Sequence, residues 1–577
     1  MNKKLSLLII VLIFSYLPMF AEAQVDLGHQ EVFNIEPSYD FFQRTVLSAT
    51  LIRNSPTAYW YIDTKFWQDL NAAERAEINQ SVNAIAEEFE TTIYPKLTRT
   101  FGSEWSPGID KDTRITILMH QMTKGTGGYG DTADEYPKVQ LPESNEREMV
   151  YLNAQYINTG YAKSLLAHEF VHLITFNQKN RNYGVSEDVW LNEARAEYAP
   201  TLLGYDDVYE GSNLQRRVRD FLSNPSDSLT EWRETPADYG VANLFIQYLV
   251  DHYGIQVLSD SLNRKETGIQ SINLVLSQRG FQENFAQIFT NWTVAVLINN
   301  CQISEKYCYY NKNLKDFRIT PLINYLPFVG ESTLSVTNTT KDWSGNWHKF
   351  IGGRGTLNVD FQSANSSIFK VPYILNTAGG DSVVGNLSLD RAQNGEIVVN
   401  DFGSETVALT IIPIAQNKTA DFTVIEPSRT FSWTASTKGE AQITIPSLSP
   451  LKKPISEMTR TEILARIAEI QQVVVQLQAL LLQLGDSLSC SSLNQDLSFG
   501  AKGNSQVMCL QEFLKSQGTA IYPEGIVNGN FFTATLQAVI RFQEKYASEL
   551  LTPYNLAQGT GFVGPITRAK INQLLTK

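Results

Sequence analysis

His168 and His172 bracket Glu169, Phe170 and Val171 in the pattern HExxH, set between the apolar stretches Leu165-Leu166-Ala167 and Leu173-Ile174. On a helix, positions i and i+4 share one face, so both imidazoles can reach one metal ion with Glu169 beside it. Zinc takes such nitrogen ligands, and a catalytic zinc keeps three protein ligands and one position for water. Two histidines therefore require a third ligand. Glu193 meets the need within Trp190-Leu191-Asn192-Glu193-Ala194-Arg195-Ala196-Glu197, with 20 residues between it and His172. Glu197 lies one turn further along the same face, placed to accept a hydrogen bond from a ligating imidazole and fix its ring. Glu169 is left as general base. The chain has only six His in 577 residues, so a chance HExxH is expected on the order of once in 300 such chains.

This pattern resembles the gluzincin metallopeptidases, in which two His and one Glu hold the metal; Asn192 to Glu197 is similar to their NExxxD/E element. Four stretches more narrowly resemble the hyicolysin-type family of secreted bacterial metallopeptidases. They are Gly128-Tyr129-Gly130, the run from Ser144 to Asn153, the HEFVHLI segment and Trp190-Leu191-Asn192-Glu193. The resemblance implies one catalytic Zn²⁺ on His168, His172 and Glu193, and hydrolysis of internal peptide bonds in protein substrates. It also implies an edge strand that holds the substrate by backbone pairing. The loop from Gly125 to Gly130, or the segment beside it, is the candidate for that strand; a flexible surface loop is the other reading. Gluzincins commonly stabilise the oxyanion with a Tyr or His downstream of the third ligand. Tyr239, Tyr248 and His252 are the candidates, with Tyr239 favoured because it precedes a helix in a loop-like context.

These residues need elements to position them. Asn71 to Tyr94 has helical periodicity, with Ile78, Val82, Ile85 and Phe89 on one stripe and Pro95 closing it. Arg114 to His120 alternates as a strand does, and Val241 to Tyr253 reads as an amphipathic helix. Asp131 and Asp134 share a loop, but without EF-hand spacing they raise no expectation of calcium.

The full chain reads as multidomain. Residues 1–23 form an expected signal peptide, with Lys3 and Lys4 before an apolar core and Ala21-Glu22-Ala23 at the cleavage site. Residues 24–324 form an α+β zincin-like metallopeptidase domain and 325–447 an all-β sandwich, signalled by alternating runs at Thr356–Phe361 and Val407–Ile412. Residues 448–489 hold a linker and a heptad helix. Its seam is Ile463, Ile467, Ile470, Val474, Leu477, Leu481 and Leu484, and it reads equally as a homo-oligomer contact through residues 459–484 or as a helix packed on a neighbouring domain. Residues 490–577 resemble a small three-helix peptidoglycan-binding-like domain, which implies attachment to peptidoglycan or cell wall, although Phe532 stands where the family usually has Gly.

Export, secreted or wall-associated, makes disulfides feasible, and spacing pairs Cys301 with Cys308 and Cys490 with Cys509. The net charge of −13 and the lack of a basic run exclude nucleic acid as a partner. Two readings compete with the secreted endopeptidase. One is a wall-associated binding protein or adhesin with an inactive protease-like domain. The other is a peptidase acting on peptidoglycan cross-bridges.

Overall fold

The computed structural model describes residues 26–577 except 328–330, 365, 423, 439–447, 450–452, 461, 468, 471, 475–491, 524, 555, 557 and 576–577. It divides into two compact units that interleave along the chain. The first comprises residues up to 186, 198–206 and 262–265; the second comprises 187–197, 207–261 and 266 onward.

The first unit is built on a six-stranded sheet. Its strands are β1 (Gln30–Asn34), β2 (Val46–Asn54), β3 (Ala58–Asp63), β4 (Ile115–His120), β5 (Gly128–Gly130) and β6 (Met149–Asn153), in the order β1-β2-β3-β4-β6-β5. β4 runs parallel to β3 and β6 and is buried at every position. A central parallel strand is covered on both faces, so the alternation expected of it yields to continuous apolar burial. β5 pairs antiparallel with β6 and ends the sheet; the glycine loop thus supplies an edge strand.

Helix α1 (Thr64–Asp69) precedes α2 (Ala72–Glu88), which Asn71 and Glu74 start with a reciprocal capping box. Ile78, Val82 and Ile85 are buried as their stripe predicts. Pro95 does not end this helix. The chain passes through a π turn at Phe89–Ile93 into α3 (Tyr94–Phe101), where Pro95 occupies the first turn. Proline is tolerated there because its missing N–H would have no helical partner. α4 (Ala162–Thr175) carries the HExxH residues and continues as a π turn to Arg181. Its apolar residues are buried on several sides, with Phe170 edge-on to Phe89 at 5.1 Å, as a helix without a polar face must be.

α5 (Val189–Leu203) spans the boundary between the two sets of residues. The second unit continues with α6 (Asn213–Ser223), α7 (Pro236–Tyr253), α8 (Gln256–Leu262), α9 (Gly268–Gln278) and α10 (Phe285–Ile298). Cys301–Cys308 closes the loop after α10 as a disulfide. Cys509 is also disulfide-bonded; Cys490, which spacing pairs with it, lies outside the described residues.

Among the described residues, the segment between 322 and 438 has only β-strands as regular elements. Nine of its strands form one sheet, and a two-stranded ribbon adds Phe369–Lys370 and Ile414–Ala415. Its pairing is antiparallel except where Leu322–Leu326 lies parallel to His348–Gly352 and at a single parallel pairing of Phe402 with Thr406. Phe361, Phe431 and Trp433 lie in its buried core. His348 packs against Phe431 and Trp433, where burial lowers its pKa to about 4. The C-terminal segment has its own core around helices Ser505–Ser516, Thr533–Lys545 and Pro565–Leu575, with a short fourth at Ala547–Leu550. Phe532 is the residue that caps the second of these.

The expected signal peptide lies outside the described residues, as does the end of the heptad seam. Its described part is helical, and Ile467, Ile470 and Val474 are exposed there. Among the described residues no helix is long and apolar enough to cross a membrane.

Candidate metal centre

α4 brings the two imidazoles together as its 3.6-residue turn requires. The Nε2 atoms of His168 and His172 lie 3.2 Å apart, with ring centroids at 5.0 Å and planes inclined by 78°. Two nitrogens at zinc–nitrogen bond length, subtending a tetrahedral angle, stand about 3.3 Å apart. The observed separation is therefore that of two ligands aimed at one point. Glu193 on α5 completes a group whose ligand atoms all lie within 4.8 Å of one another. Two imidazoles and a carboxylate form a donor set suited to zinc.

Glu169 points its carboxylate toward the edge strand. It is 5% exposed, and a Cβ built on Gly128 of β5 would come within 3.1 Å of its Oε1 and 2.6 Å of the Tyr151 carbonyl. Only glycine allows β5 to pass this close to the carboxylate. Gly130 likewise lies alongside the His172 side chain, its built Cβ 3.6 Å from the histidine's Cβ. The free edge of the sheet thus runs past both Glu169 and His172, because β6 is paired on both sides and β5 on one.

Glu197 is buried, with 1% exposure. Arg217 of α6 grips its carboxylate through Nε at 2.8 Å and Nη2 at 2.5 Å, and Asn213 Nδ2 donates at 3.0 Å. Asn243 of α7 donates to its carbonyl at 3.2 Å and its carboxylate at 3.3 Å. The same guanidinium stacks over the Tyr239 ring, 4.4 Å from its centroid. Arg217 and Asn213 were not legible as site residues, since no motif marks them and they meet Glu197 only through the packing of α6.

Tyr239 lies within the first turn of α7 instead of in a loop before it. Thr235 and Asp238 cap that helix, and the capping pair starts it earlier than the apolar stripe suggests. Tyr248 donates its hydroxyl to the Lys306 carbonyl at 2.7 Å, and His252 Nε2 lies 2.9 Å from the Cys308 carbonyl. Both side chains anchor the disulfide loop to α7, whereas Tyr239 packs against Trp232 at 4.9 Å between ring centroids.

No family model matches the chain, and no curated protein does. Among solved structures, similarity is found to the Yersinia pseudotuberculosis-derived mitogen at 10% identity, covering 19% of this chain and 91% of that one, with a TM-score of 0.14. The pre-peptidase C-terminal domain of a Bacillus anthracis collagenase is similar at 7% identity over 20% of this chain and 96% of its own, TM-score 0.14. PliG of Aeromonas hydrophila, an inhibitor of g-type lysozyme, is similar at 10% identity over 20% and 98%, TM-score 0.14. Likenesses at this level carry no assignment of fold or function.

Proposed function

We infer that the protein is a secreted zinc-dependent endopeptidase with a zincin-like catalytic domain. The observation that carries this reading is the convergence of His168 and His172 Nε2 at 3.2 Å, with Glu193 in the same group. These three residues would hold Zn²⁺. When bound, zinc supplies Lewis acidity and lowers the pKa of a coordinated water toward neutrality. Glu169 accepts the attacking water's proton on its carboxylate and returns it to the leaving amine. The exposed edge of β5 holds an extended peptide by backbone hydrogen bonds, the usual mode of strand addition. Tyr239 is the proposed donor to the oxyanion, with Arg217 orienting its ring.

The test is cleavage of unfolded casein by the purified chain. Activity lost with chelator and restored by zinc is the expected result. Cleavage that persists after complete zinc removal would overturn the reading.

Gly128→Ala is expected to lower turnover by roughly a hundredfold with zinc content unchanged. The added methyl must displace either the Glu169 carboxylate or the backbone of β6, and displacing a catalytic group by about 1 Å costs on that order. Parallel measurement of kcat and of metal by elemental analysis checks this. A variant with normal kcat would mean that Glu169 and β5 are not held in register.

A further inference from the structure

Within the second unit, the end of α10 and the β segment line a cleft of about 820 Å³, within the usual range of small-ligand sites, roughly 300–1,000 Å³. Strand register sets its floor. Lys349 on the strand His348–Gly352 pairs with Thr410 on Thr406–Ile411, and Thr410 pairs with Ile374 on Pro372–Thr377. Residues paired across strands share a face, so these three form one row. Asn376 lies two residues beyond Ile374 on that face, and its Nδ2 donates to Ser382 Oγ at 2.9 Å. Leu297, Asn300 and Ile303, from the end of α10 and the turn after it, form the other wall. Trp347 Nε1 donates to the Thr293 carbonyl at 2.8 Å and Gln416 Nε2 to the Ala286 carbonyl at 3.1 Å, which ties α10 to the β segment.

The charge of this cleft is unbalanced. Lys349 is half-buried, and burial alone, with no charged neighbour contributing, lowers its pKa. An ammonium withdrawn from water without a counter-charge is costly. Arg318 is the second cation. Its Nε donates to the Ile298 carbonyl at 2.7 Å and its Nη2 to the Asn299 carbonyl at 2.9 Å, which caps α10 and holds the guanidinium at the cleft. Asp381 is the one acid among the lining residues. Two cations against one carboxylate leave one positive charge over, on a chain whose net charge is −13.

The rest of the lining narrows the ligand. One spare positive charge matches a carboxylate better than a doubly charged phosphate. No aromatic ring lies among the described lining residues, so a nucleobase has no platform to stack on. The two amide side chains are complementary. Asn300 Oδ1 accepts from the Gln302 amide at 2.9 Å, which leaves its Nδ2 to donate; Asn376 spends Nδ2 on Ser382 and keeps Oδ1 to accept. A donor and an acceptor suit the C=O and N–H of a peptide bond. Leu297, Ile303 and Ile374 offer apolar surface to a side chain.

We propose that this cleft binds the carboxyl-terminal end of a short peptide whose last side chain is apolar, with Lys349 receiving the carboxylate. The site uses none of His168, Glu169, His172 and Glu193, and it stands whether or not the chain cleaves peptides.

Isothermal titration calorimetry of the full chain with acetyl-Gly-Gly-Leu, and with the same peptide amidated at its C-terminus, tests this. The expected result is one peptide per chain, with the acid bound at least about tenfold more tightly than the amide, the worth of a hydrogen bond to a charged group. Lys349→Met keeps the aliphatic stem and should weaken the acid to the level of the amide. Circular dichroism verifies folding. If that variant misfolds, Asp381→Asn decides, because removing the exposed acid should tighten the acid peptide by about threefold and leave the amide unchanged. No binding, equal binding of acid and amide, or wild-type affinity in folded Lys349→Met overturns the proposal. So does binding that chelator abolishes and Lys349→Met does not, which would place the peptide at the histidine pair.

Discussion

Glu169→Gln should lower kcat by about 10²–10⁴ while zinc stays bound. The substitution keeps the volume of a side chain that is 5% exposed and pressed against β5, so packing gives it no reason to move. The metal-ligating group is His168, His172 and Glu193, and none of these is altered. What is lost is the capacity to accept a proton, because an amide has no basic oxygen at neutral pH. A loss of 10²–10⁴ corresponds to about 3–5 kcal/mol of transition-state stabilisation. Steady-state kinetics on a fluorogenic peptide, with zinc measured by elemental analysis, reads both quantities. A variant that retains zinc and wild-type kcat would remove Glu169 from the mechanism. One that loses zinc as well would make it part of the metal's support.

The histidine spacing was readable because it depends on local geometry alone. An i,i+4 pair converges wherever a helix forms, and the apolar run around it leaves α4 little alternative. The capping box at Asn71 and the stripe behind it were legible for the same reason. Features set by long-range packing were not. β4 alternates in sequence yet is buried throughout, since the strands on both sides of it are known only from topology. Pro95 reads as a stop, but a π turn realigns the helix so that the ring falls at a permitted position. Gly128 belongs to a glycine-rich loop in sequence; only the approach of Glu169 explains why that position needs glycine. The isolation of Lys349 from charged neighbours is likewise invisible without knowing what surrounds it.

Arg217→Met is expected to destabilise the fold by about 3–5 kcal/mol, the usual cost of stranding one partner of a buried ion pair. Glu197 is 1% exposed and takes two hydrogen bonds from that guanidinium, at 2.8 and 2.5 Å. Asn213 and Asn243 also donate to its carboxylate, but neither carries charge. Urea unfolding should show a lower midpoint with little change in slope. The double variant Arg217→Met, Glu197→Gln should recover much of the loss, because removing both charges leaves no buried ion to desolvate. A single variant within about 0.5 kcal/mol of wild type, the range of ordinary surface changes, would show that the pair is not structural. The effect should also reach the metal. Glu193 and Glu197 are one turn apart on α5, so a loosened Glu197 frees the helix segment that presents Glu193. Zinc affinity should therefore fall in the single variant and return in the double one. That pattern separates a residue that holds the third ligand in place from one that merely stabilises the fold.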